Sequence, residues 1–216
     1  MFFINGAKIT ILLAILTIIF GVILGVLLAL MRISRNPILK GIAAVYIEFI
    51  RGTPIMVQLF IFYYGLSFVG ITFPDISVLG SNLNDLMAGV IALSINSAAY
   101  VAEIVRAGIQ AVDKGQMEAA RSLGLTYSMS MRTIILPQAI KNILPALGNE
   151  FIAIIKESSI VSIIGIHELM FNNSTVRGIT FRPFEPLIVT AIVYFVITFS
   201  LSTLVRALER RLETVD

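Results

Sequence analysis

The run ITILLAILTIIFGVILGVLLALM, residues 9–31, decides the fold. It carries no charge and exceeds the roughly 20 residues that a helix requires to cross a bilayer. Only Lys8 supplies a charged side chain before it. The run is longer than the roughly 7–15 residues of a signal-peptide core, so it reads as a span that stays. Gly21 and Gly25 stand four apart within it. They either let another helix approach closely or reflect the ordinary abundance of glycine in membrane helices.

Working outward, a second span runs from about Gly41 to Leu66, interrupted by Glu48, Arg51, Gln58 and the break Gly52-Thr53-Pro54. Pro54 lacks a donor and frees a carbonyl one turn back. Such a break survives in a bilayer only when it is buried in protein or lines a cavity. Glu48 and Arg51, three apart, are expected to pair on one helix face. A third span, residues 86–106, sets Asn96, Tyr100 and Glu103 on one side as a polar stripe. The fourth, residues 138–155, contains Pro145 and Gly148. There Glu150 and Glu157 share one face, and Asn142, Asn149 and Lys156 the adjacent one. The fifth, residues 187–205, ends in Arg206, Arg210 and Arg211. Residues 67–85 read as a loop, and 156–186 as a polar connection with a short half-buried helix. The expectation is therefore an all-α integral membrane protein with five transmembrane helices, a single domain over residues 1–216.

Composition agrees. The chain is 57% hydrophobic and 13% charged, whereas soluble domains are about 45–50% apolar. Its net charge of +3 does not imply nucleic acid, because the basic residues flank apolar runs and form no patch. With the C-terminus inside, Arg32, Arg35, Lys40, Arg106, Lys114, Arg121, Arg132, Lys141 and the three C-terminal arginines are cytoplasmic. Lys8, Lys156, Arg177 and Arg182 then lie outside. That asymmetry favours N-out, C-in. There is no cysteine for disulfide or thiolate chemistry, and His167, the lone histidine, cannot make a metal site by itself. Without Trp, an interfacial aromatic belt must use Tyr.

Ionisable groups inside a membrane span are costly and default to functional candidates. Glu48, Glu103 and Glu150 are the intramembrane acids. Glu103 has Arg106 three residues on. Glu150 has no basic residue three or four away on its own helix, which makes it the first candidate to hold a substrate cation, with Glu103 second. Asn96 and Tyr100 add hydrogen bonds or a cation–π face. Backbone groups freed around Thr53 are candidates to hold a carboxylate, as at other broken helices.

The stretch QAVDKGQMEAARSLGLTYSMSMRTIILP, residues 110–137, is a polar island between these spans. Asp113, with Gln116 three residues on, marks a helix start. Met117, Ala120 and Leu123 fall on one face, and Gly124 marks the stop. A second short helix holds Tyr127, Met131, Ile134 and Ile135, and Pro137 is expected to close it. A Gly-punctuated pair of amphipathic helices suits a partner's groove.

Glu118-Ala119-Ala120, then Gly124, then Ile134-x-Leu136-Pro137 resembles the EAA loop of ABC import permeases. GTPIMVQLFIFYYGL at 52–66, AAYVAEIVRAGIQAV at 98–112 and PALGNEFIAIIKESSIVSIIGIHEL at 145–169 are similar to segments of the polar amino-acid uptake branch. One departure, Lys156-Glu157-Ser158-Ser159 where members often carry Lys-Asp-Thr-Ser, keeps the side-chain chemistry. The resemblance implies a multi-pass subunit of the cell (inner) membrane, an ATP-driven importer of polar or basic amino acids. It implies a permease dimer, with a homodimer favoured, and an extracytoplasmic amino-acid-binding protein. It also implies two ATPase subunits, which would bind ATP and Mg, docked on Glu118, Ala119, Ala120, Gly124, Ile134, Leu136 and Pro137. This chain has no phosphate-binding Gly-x-x-x-x-Gly-Lys-[Ser/Thr] loop, so it is expected to be no enzyme and to hold no cofactor. The membrane acids alone would also fit an ion-gradient-driven secondary transporter or channel subunit.

Overall fold

The computed structural model describes residues 1–213; residues 214–216, the end of the expected domain, lie outside the described residues. Its order is α1 (Phe2–Ile33), α2 (Pro37–Arg51), α3 (Ile55–Phe68), β1 (Ser77–Val78), β2 (Ser81–Asn82), α4 (Leu83–Gln110), α5 (Lys114–Ser122), α6 (Tyr127–Ser130), a π turn (Met131–Ile135), α7 (Leu136–Glu157), a 3-10 segment (Ser158–Ile164), α8 (Leu169–Thr180) and α9 (Glu185–Glu213). Apart from a two-residue hairpin that pairs Ser77 with Asn82 and Val78 with Ser81, the described elements are helical.

Three helices, α1, α4 and α9, are long and apolar enough to cross a membrane. The pair α2 and α3 counts as a fourth if taken together, but it bends by 106° at the Gly52-Thr53-Pro54 break. The second span is therefore two helices and not one interrupted rod. The expected fourth span, α7, is long enough but carries Lys141, Glu150, Lys156 and Glu157, which lower its apolarity.

Burial ranks the spans. In α4, 72% of the most apolar window is buried, against 28% in α1 and 6% in α9. So α4 is the central helix and α9 the outer one. The pairing of α1 with α4 is the most extensive in the fold. Glycine makes it possible: a Cβ on Gly25 would come within 2.6 Å of the Val101 side chain and 2.9 Å of Ala98 O. Of the two readings of Gly21 and Gly25, close helix approach is the one realised. One core cluster joins Ile9, Leu13, Leu59, Val90 and Ile166, and a second joins Ile47, Val101, Ala102, Ala139 and Ile143.

Local signals set the helix ends. Asn36 accepts from Ile38 N at 2.9 Å with Pro37 in the first turn of α2, and Asn82 accepts from Asn84 N at 2.8 Å to start α4. Pro137 does not close a helix. It lies in the first turn of α7, reached from α6 through the π turn without a stop. There Leu136 N–H reaches back to Met131 O, and the Gln138 amide donates to Ile134 O at 3.0 Å. The wider turn keeps the helix continuous where proline supplies no donor.

Glu168 fastens the connection between α7 and α9, outside the helices read as spans. It is wholly buried and caps α8: one oxygen accepts from Phe171 N at 2.7 Å, and the other from the Tyr194 hydroxyl of α9 at 3.0 Å. Leu169 N donates to Thr10 Oγ1 of α1 at 3.3 Å. His167 is structural here, its N–H donating to Ser81 Oγ at 2.8 Å and its ring stacked on Phe171. Burial pushes the Glu168 carboxyl from 4.5 up to about 7, despite the donors that favour its charged form. The folded protein thus holds this proton more tightly than the unfolded chain. Stability is fullest at low pH and falls as pH climbs from 4.5 through about 7. Thermal unfolding of the purified protein across that window should show the decline, and Glu168→Gln should flatten it. Equal slopes in both would clear Glu168 of the effect.

Candidate functional site

The break in the second span builds one wall. Pro54 offers no N–H, so the end of α2 needs other donors. Gln58, 2% exposed on α3, supplies them. Its Nε2 lies 2.7 Å from Ile50 O, 3.1 Å from Thr53 O and 2.8 Å from Thr53 Oγ1. The Thr53 hydroxyl itself donates to Phe49 O at 2.9 Å. Gln58 thus holds two carbonyls at the break, Ile50 O and Thr53 O, while α3 begins after Pro54 with no side-chain cap on its first N–H groups.

Helix α4 carries the polar stripe expected of it, and each member has a partner. Asn96 Nδ2 donates to Gln58 Oε1 at 2.9 Å. Arg51, at the end of α2, places its guanidinium 5.6 Å from the Tyr100 ring centroid. Glu103 is gripped by Arg106, whose Nη2 lies 2.6 Å from Oε2 and whose Nε lies 3.1 Å from both oxygens. The expected pair of Glu48 with Arg51 does not form: Glu48 is exposed and makes no ion pair among the described residues. An exposed i,i+3 pair contributes only about 0.3–0.5 kcal/mol, less than a cation over an aromatic face can offer.

Glu150 differs from the other acids. It sits on α7, partly buried, with Oε1 accepting from Ser97 Oγ of α4 at 2.9 Å. No Lys or Arg pairs with it among the described residues. Its hydrogen-bond partner is a neutral hydroxyl. Asn149 beside it is exposed, as are Lys156 and Glu157. A cavity of about 510 Å³ lies toward the other end of α7, lined by Asp113, Gln138, Lys141, Asn142 and Glu209; Glu150 does not line it.

Residues 110–137 form a compact knob. Asp113 caps α5, accepting from Gly115 N at 2.7 Å. Gly124 takes φ +86°; its N–H bonds Arg121 O at 3.1 Å, and Leu125 N–H bonds Ala120 O at 3.2 Å. This pair of bonds satisfies the last carbonyls of α5. Glu118, Ala119 and Pro137 are exposed, Ile134 and Leu136 are half-buried, and Ala120 is buried. Leu123 stands 83% exposed, beside exposed Tyr127 and Met129.

The family described as "Binding-protein-dependent transport system inner membrane component" matches residues 21–214. The chain is 42% identical over 215 residues to the arginine transport system permease protein ArtQ of Bacillus subtilis, covering 100% of this chain and 94% of that protein. This chain belongs to that permease family.

A putative glutamine transport system permease protein, GlnP of Rickettsia bellii, is 42% identical over 212 residues, 98% of this permease and 93% of the relative. A solved chain titled "Crystal structure of an amino acid ABC transporter with histidines" superposes with TM-score 0.89 at 51% identity, over 97% of this permease and 94% of that chain. An inward-facing MetNI methionine ABC transporter chain matches with TM-score 0.70 at 20% identity, over 95% of each chain, and so shares the fold. The permease is thus a multi-pass inner-membrane component of an ABC importer and not an enzyme; the ATPase is a separate subunit, and membership implies an ATPase, a permease partner and a binding protein.

Two residues of this site were not singled out from the sequence. Gln58 read as an interruption of an apolar run; an amide four residues past a proline is the signal that a broken helix is being repaired. Ser97 adjoins Asn96 and faces Gly21, where a Cβ would meet its Oγ at 3.0 Å. A serine at a close helix contact gives no hint of an acid arriving from a third helix.

Proposed function

We propose that this permease forms, with a second copy of itself, the membrane path of an ATP-driven importer of polar or basic amino acids. The observation that carries this reading is Glu150: an acid in the helix bundle, held by the neutral hydroxyl of Ser97 and paired with no Lys or Arg among the described residues. The substrate's ammonium or side-chain cation meets Glu150 between the broken second span, α4 and α7. Glu103 is engaged by Arg106, so it is the lesser candidate. Tyr100, already facing Arg51, borders the path, as do Thr53 and Asn96, and Glu48 lies on its exposed flank. Relatives named for arginine and glutamine transport support a polar or basic amino acid as the cargo.

The chain spans the membrane five times, counting α2 and α3 as one crossing and α7 as another, with its N-terminus outside and C-terminus inside. The basic loop residues favour this orientation, and it puts α5 where ATP is. Two ATPase subunits dock on α5 and its neighbours, through Glu118, Ala119, Ala120, Gly124, Ile134, Leu136 and Pro137, and carry the ATP and Mg. This chain supplies contact and no cofactor chemistry.

The test is co-purification with the ATPase and the binding protein, followed by ATP hydrolysis measured in vesicles against a panel of amino acids. Stimulation confined to polar or basic members is expected. Uptake that persists without the ATPase would instead mark an ion-gradient-driven transporter.

A further inference from the structure

The amide buried at the centre of the break does more than repair a helix end. Gln58 Nε2 has two hydrogens and three acceptors in range, at 2.7, 2.8 and 3.1 Å, so it stays bonded through small rotations. Its oxygen takes the Asn96 donor of α4 at 2.9 Å. The next α4 residue, Ser97, holds Glu150 of α7. One turn along, Tyr100 carries Arg51 from the end of α2. Adjacent residues of α4 therefore hold the bend on one side and the path carboxylate on the other.

We propose that Gln58 and Asn96 form a positioning pin. The pair fixes the 106° bend to α4, so that the bend and Glu150 keep one spacing while the permease changes conformation. The proposal rests on the reading above that the path runs beside Glu150. Asn96 is 5% exposed and one of its two amide hydrogens is given to Gln58, which suits a pin better than a substrate contact. The two roles leave different traces. A substrate contact sets affinity and selectivity. A pin sets the maximal rate and the ATP consumed per molecule moved, because without it buried carbonyls lose their donor and the bend shifts.

Wild type, Gln58→Met, Asn96→Leu and the double variant are each assembled with the ATPase and binding protein in vesicles, with L-arginine and L-glutamine as probes. Each single variant should lose maximal uptake by about tenfold while half-saturation moves by less than about twofold. ATP consumed per molecule should rise. The double variant should match Gln58→Met, because both changes break one connection. Should Gln58→Met fail to assemble, Asn96→Leu carries the test alone, since it leaves the carbonyl bonds of Gln58 in place. Undiminished uptake in Asn96→Leu, or losses that multiply in the double variant, would overturn the pin. So would raised half-saturation at an unchanged maximal rate, which marks substrate contacts. If wild type moves neither probe nor any other amino acid, the functional reading falls and the pin with it. Wild-type uptake with unimpaired variants sinks the pin alone.

Discussion

Glu150→Gln should nearly abolish uptake of a cationic amino acid. The substitution keeps the size of the side chain and an oxygen that can accept from Ser97 Oγ, so the α4–α7 contact survives. What it removes is the negative charge. A hydrogen bond to a charged group contributes about 1.5–3 kcal/mol, which corresponds to a loss of roughly 10- to 150-fold. Uptake of labelled arginine in vesicles containing the whole complex gives the readout, with a neutral amino acid for comparison. The arginine signal should fall more than the neutral one, since the neutral substrate offers only its ammonium. Transport at the wild-type rate would remove Glu150 from the path.

Gly124→Val should separate ATP hydrolysis from transport. The backbone there sits at φ +86°, a region that L-residues enter at a cost of about 1–2 kcal/mol and β-branched ones avoid most strongly. Space is not the obstacle, because a Cβ at this position meets nothing within 4 Å. The strain is in the chain itself. Relieving it would break the bonds from Gly124 N to Arg121 O and from Leu125 N to Ala120 O, and the end of α5 that presents Leu123 would unwind. ATP hydrolysis should continue while uptake drops about tenfold, since the docked knob no longer moves with its partner. Gly124→Asn should keep most of the coupling, because asparagine tolerates the left-handed region. Both activities intact in Gly124→Val would refute a rigid α5 end as the coupling element.

Much of the architecture was legible as local chemistry. The apolar run at 9–31, the cap at Asp113, the stop at Gly124 and the break at Pro54 each depend on a few neighbouring residues. The Glu103–Arg106 pair was readable for the same reason, since both lie on one helix three apart. Pro137 was misread because proline's effect depends on the turn before it. A π turn there lets the helix run on into α7, and composition gives no warning of it. The Glu48–Arg51 pair was misread because Arg51 had a better partner on another helix, the ring of Tyr100.

By itself the sequence determined that this is a helical membrane chain, where its second span breaks, and that a polar knob interrupts it. Those properties follow from hydropathy, missing donors and backbone preference, all felt within a turn or two. Only the tertiary structure decided how sharply the second span bends, what Glu150 meets on a neighbouring helix, and what holds the bend. Gln58 meets Asn96 across 38 residues, and Ser97 meets Glu150 across 53. Such meetings are set by which helix packs against which, and the close contact of Gly21 and Gly25 with α4 belongs to that same packing. Periodicity along one helix cannot specify its neighbour, so the candidate path emerged only when three helices stood side by side.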